Sequence, residues 1–115
     1  MGINASVTFF EARGCLVYAD VDDQGLLTAT ENRWSRHGER ERSLFFGPAD
    51  AAGLTELLGA RSTVDALGVL GAMLRGDRDA LAKVEALAGR HGVPFVAAEY
   101  GDRDANAEGE GELLR

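Results

Sequence analysis

One cysteine, two prolines, two histidines and one tryptophan occur among 115 residues, and each scarcity excludes something. A lone Cys15 cannot close a disulfide within the chain. The fold must therefore be held by its core, and a reducing compartment, the cytoplasm, is the expected setting. Cys15 also falls in an apolar run, where burial makes a thiol unreactive. No CxxC or HExxH spacing occurs. The glycines are numerous, at 15, yet none builds a phosphate-cradling loop between a strand and a helix. No cofactor, no metal and no catalytic constellation is expected, so the chain reads as a non-enzyme. Nor does any apolar run approach the ~18 residues a membrane span needs. The segment Met1–Ser6 lacks the basic start and apolar centre of a secretory signal.

Positive charge is in short supply too. Twelve Lys and Arg stand against 19 Asp and Glu, a formal net charge of −7. Residues 1–30 carry −3, residues 31–92 balance, and residues 93–115 carry −4. Phosphate backbones reward clustered Lys and Arg, so nucleic acid is not an expected partner. A basic protein surface is a suitable one.

At 45% hydrophobic and 27% charged, the chain has the composition and length of one ordinary globular domain. That domain is predicted over residues 1–100. Residues 101–115, rich in Asp, Glu, Gly and Asn, are predicted to form a disordered acidic tail. The fold class predicted is α+β in two layers: a four-stranded antiparallel meander from about 6 to 46, helices from about 49 to 91, and a fifth, buried strand over 93–100. Runs at Val7–Phe10, Cys15–Val21, Leu26–Trp34 and Glu39–Phe46 are rich in strand formers and separated by short turns, which make neighbours antiparallel. After Gly47-Pro48 the apolar spacing lengthens to that of helices. Pro48 suits a helix start, Ser62-Thr63-Val64-Asp65 has the capping-box pattern, and Asp77 is the expected cap of a third helix. Gly68 and Gly71, inside the second helix, suggest close backbone packing.

One segment has the spacing of a calcium loop. From Asp20 to Glu31 it places acids at the first, third and twelfth positions and Gly25 at the sixth, so Asp20, Asp22, Gln24 and Glu31 are the candidate ligands. Against this, strand formers flank the loop and no amphipathic helix follows it, so an acidic β-hairpin turn is the preferred reading.

A second feature points to a protein partner. With Glu11 opposite Cys15, Val21 opposite Leu26 and Trp34 opposite Glu39, strict alternation makes both sheet faces apolar. One face gathers Val7, Phe9, Cys15, Val17, Ala19, Val21, Leu26 and Phe45. The other gathers Phe10, Leu16, Tyr18, Leu27, Ala29, Leu44 and Phe46. Helices cover one face, and the second is expected to meet a second copy or a target. The expected interface is Phe10, Leu16, Tyr18 and Leu27, with Trp34 and Arg36 from the third turn, since Trp and Arg favour interfaces. The function this suggests is a small acidic module that occludes a protein partner, as inhibitor, immunity and anti-defence proteins do, with a homodimer in view. A calcium-binding module and an enzyme with a dispersed site are the alternatives.

Overall fold

The computed structural model describes residues 2–101. The predicted acidic tail therefore lies outside the described residues, apart from Gly101. Five strands form one antiparallel sheet in chain order: β1 (Ile3–Ala12), β2 (Cys15–Asp22), β3 (Leu27–Ser35), β4 (Gly38–Phe46) and β5 (Val96–Gly101). Between β4 and β5 run α1 (Pro48–Leu57), α2 (Thr63–Leu74) and α3 (Ala80–Arg90). The α+β class, the meander and the two layers are as expected.

The helices begin and end for local reasons. Pro48 opens α1 where a missing N–H costs nothing. The Ser62 hydroxyl accepts the Asp65 amide at 3.0 Å, and the Asp65 carboxylate accepts the Arg61 amide. The third helix starts later than expected, with Asp79 at its N-cap position. Asp77 instead holds the turn before it, accepting the Asp79 amide and the Lys83 ammonium.

All three helices lie on one face of the sheet. Their buried residues, among them Leu54, Leu67, Leu70, Leu81 and Val84, join Phe9, Cys15, Val17, Ala19, Val21, Leu27, Ala29, Leu44 and Phe46 in one core. Phe46 and Phe95 meet with ring centroids 5.6 Å apart. At Gly71 the helix α2 comes so close to β1 that an added Cβ would lie 2.6 Å from Val7 Cγ2, whereas Gly68 faces open space.

Two details of register decide which residues that core receives. The β2–β3 connection is one residue longer than expected. Asp22 Oδ1 accepts the amides of Gln24 and Leu26, Gly25 turns at φ +91°, and pairing resumes with Val21 opposite Leu27. That single residue turns Leu27, Ala29, Leu44 and Phe46 inward and Phe45 outward. In β1, Ala12 pairs with Cys15 across a two-residue turn, and a bulge at Phe9 restores the phase of Val7 and Ala5. The short turn and the bulge together leave both Phe9 and Phe10 on the helix side.

The last strand departs from expectation more plainly. Predicted as buried, β5 starts only at Val96 and is exposed along most of its length. Among the described residues it pairs only with β4, and Val93 and Phe95, just before it, pack on the core.

Candidate functional site: the open sheet face

Alternation places three rows of side chains on the side of the sheet that no helix covers among the described residues. They run Ser6–Asp20–Thr28–Phe45–Val96, Thr8–Tyr18–Thr30–Ser43–Ala98 and Glu11–Leu16–Asn32–Glu41–Tyr100, with Trp34 beside Glu39 at one end. None of these residues belongs to the helix-side core. At the centre, Thr30 Oγ1 and Ser43 Oγ share a hydrogen bond of 2.9 Å, and both residues are buried. The apolar members lie around them. Trp34, Val96 and Tyr100 are 44%, 68% and 60% exposed, and Leu16, Tyr18 and Phe45 are half-buried.

The expected interface set therefore divides. Leu27 is fully buried under the helices and Phe10 packs on the same core, so neither faces outward, because the longer β2–β3 turn reverses Leu27 and the shorter β1–β2 turn reverses Phe10. Leu16, Tyr18 and Trp34 are on the open face, and Arg36 is exposed in the β3–β4 turn next to it. Sequence reasoning missed Phe45, Val96 and Tyr100. The strict alternation of β4 carried the signal for Phe45, once β3 was in register.

The charges on this face are of one sign. Glu11, Asp20, Glu39 and Glu41 project from it, with Asp22 at its margin, and its strand positions bear no Lys or Arg. Glu11, Asp20, Glu39 and Glu41 form no ion pair among the described residues. Burial, and then the neighbouring Asp22 carboxylate, raise the Asp20 pKa above the usual carboxylate value. The bases of β3 and β4 lie on the opposite side. There Arg33 pairs with Glu31, while Arg42 makes a two-pronged bridge to Glu85 of α3 and a further bond to Glu99 of β5. Asn32 Oδ1, between Leu16 and Glu41, is buried without a hydrogen-bond partner.

Compared with protein-family models, with curated proteins and with solved structures, the chain matches none. The face must be read from its own chemistry.

The same geometry separates the candidate calcium ligands. Asp20 and Asp22 project from β2 on the open side, whereas Glu31 lies opposite Val17 and Arg42 on the helix side and is held by Arg33. The Asp22 carboxylate is committed to the turn amides. Gln24 lies in the turn, and strands rather than helices flank it. Cys15 is 1% exposed beneath the helices, and His37 is exposed at the β3–β4 tip. That tip frames a shallow hollow of about 190 Å³ lined by Arg33, Trp34, His37, Glu39 and Arg40.

Proposed function

We propose that the chain is a small protein-binding module whose open sheet face docks on a basic protein surface and occludes it, in the manner of inhibitor, immunity or anti-defence proteins. The observation that carries the reading is the composition of that face. Aromatic and aliphatic side chains alternate with carboxylates, and no base among the described residues pairs with Glu11, Asp20, Glu39 or Glu41. A solvated antiparallel sheet face is normally polar, and large apolar groups with charge of one sign around them are the composition of an interface. Complementary potential then accelerates encounter and rejects acidic partners. Phosphate backbones are repelled by the same field.

Asp20 and Asn32 support the reading from inside the face. The first is an acid kept where its charge is disfavoured, and the second a buried oxygen lacking a donor. Both needs are met by a partner's Arg or Lys. The same charges disfavour a second copy on this face, since a two-fold axis through its centre would bring carboxylates toward carboxylates.

The test is affinity capture from the native host with three baits: the natural chain, an open-face variant (Tyr18→Glu with Glu41→Lys), and a helix-side control (Glu56→Lys). The reading expects a partner with a basic surface, held by the first and third baits and lost from the second, and released by salt. A partner captured equally by all three would overturn it.

A further inference from the structure

We infer that a second copy of this chain adds to the free edge of β5, antiparallel and centred on Ala98, to continue the sheet across a two-fold axis. The sheet has two edges, and they are built differently. The β1 edge is blunted. Register shifts at Asn4 and Phe9 break its repeat, and the Phe9 carbonyl already accepts the Gly76 amide at 2.7 Å. The edge strand β5 has none of these protections. Its pairing with β4 runs without a shift from Val96 to Gly101, it contains no proline, it is exposed, and its only charge is Glu99. On its free side no strand pairs with it among the described residues.

The occupant follows from how the strand matches itself. A two-fold normal to the sheet keeps like faces together, so facing residue numbers must have the same parity. Centred on Ala98, Val96 faces Tyr100 and Ala97 faces Glu99, each twice by symmetry. The aromatic then meets a β-branched residue, which is a favourable cross-strand pair, and each carboxylate meets a methyl. Centred on Glu99, the two carboxylates would oppose each other directly. Centred on Ala97, Pro94 would enter the ladder, where it has no N–H to give. One register is therefore favoured over its neighbours by the strand's own side chains. Unlike face-to-face pairing, edge pairing leaves both open faces free and coplanar, and it stands whether or not those faces bind a basic partner.

The experiment uses the full chain. Sedimentation across micromolar to millimolar concentration should show a monomer–dimer equilibrium. Ala97→Lys sets an ammonium opposite Glu99 of the second copy and should tighten the dimer, whereas Ala97→Glu sets a carboxylate there and should weaken it. Each change is expected to be about fivefold, because the pair occurs twice. Ala97 is exposed, so both variants should fold. Under mild oxidation Ala98→Cys should cross-link to itself, and Ala97→Cys should not; the buried Cys15 is common to both. A chain that stays monomeric at every concentration, equal effects of Lys and Glu at position 97, or a cross-link that favours position 97 would overturn the inference.

Discussion

At the scale of single residues, two glycines of one helix have opposite roles. An alanine at Gly71 would drive its methyl into Val7 of β1, so Gly71→Ala should lower stability to urea by about 1–3 kcal/mol. Gly68 meets nothing, and Gly68→Ala should raise stability by up to about 1 kcal/mol through helix propensity. Equal and favourable effects at both sites would mean that α2 does not approach β1 as described. Asp20 makes a second residue-scale test. Its pKa is raised in the fold, so the protonated form favours folding below the unfolded pKa, and that benefit is lost as pH rises through the folded pKa. Asp20→Asn should therefore raise the melting temperature at neutral pH and flatten this part of the pH profile. A lower melting temperature would contradict the placement of Asp20 among half-buried neighbours. If the open face meets a basic partner, the same substitution should weaken that contact while stabilising the free chain, a trade found at functional sites.

Among the elements, α3 and β5 are fastened to β4 by Arg42, which reaches Glu85 with two bonds and Glu99 with one. The Arg42 guanidinium holds the Glu85 carboxylate below its ordinary value. The resulting stability is present above the unfolded pKa of a glutamate and is lost as pH falls through the depressed folded value. Glu85→Gln should cost about 1 kcal/mol at neutral pH, the pair being partly exposed, and much less at low pH. A cost independent of pH would show that packing rather than charge joins these elements. The elements also show what was legible in advance. Helix starts were readable from Pro48 and Ser62, because caps act within a few residues. The β3–β4 register, with Trp34 opposite Glu39, was readable from a short turn. The β2–β3 register was not, because it depends on which amides the Asp22 carboxylate captures, and one residue exchanged Phe45 for Leu27, Ala29, Leu44 and Phe46. In β1 the Phe9 bulge compensated for a shorter turn, so Val7 kept its face while Phe10 and Glu11 exchanged sides. The Cα spacing of a strand records neither event. The exposure of β5 was hidden as well, since an apolar run looks the same at an edge as in a core.

Over the whole molecule, the sheet separates its charges by side. Arg33 and Arg42 are spent on ion pairs on the helix side, and Glu11, Asp20, Glu39 and Glu41, which form no ion pair among the described residues, stand among Leu16, Tyr18, Trp34, Phe45 and Tyr100. Neither net charge nor composition reveals this division, because it depends on alternation and register. Partner binding through this face should weaken as salt is added and as pH falls toward the raised pKa of Asp20. Binding insensitive to both would place the contact elsewhere. Footprinting of carboxylates by carbodiimide labelling, with and without the captured partner, tests the central claim most directly. Glu11, Glu39 and Glu41 should become protected, while Asp50, Glu56 and Asp79 on the helix side should label as in the free chain. Protection of the helix-side acids, with Glu11, Glu39 and Glu41 still open to the reagent, would contradict the assignment of the open sheet face as the site.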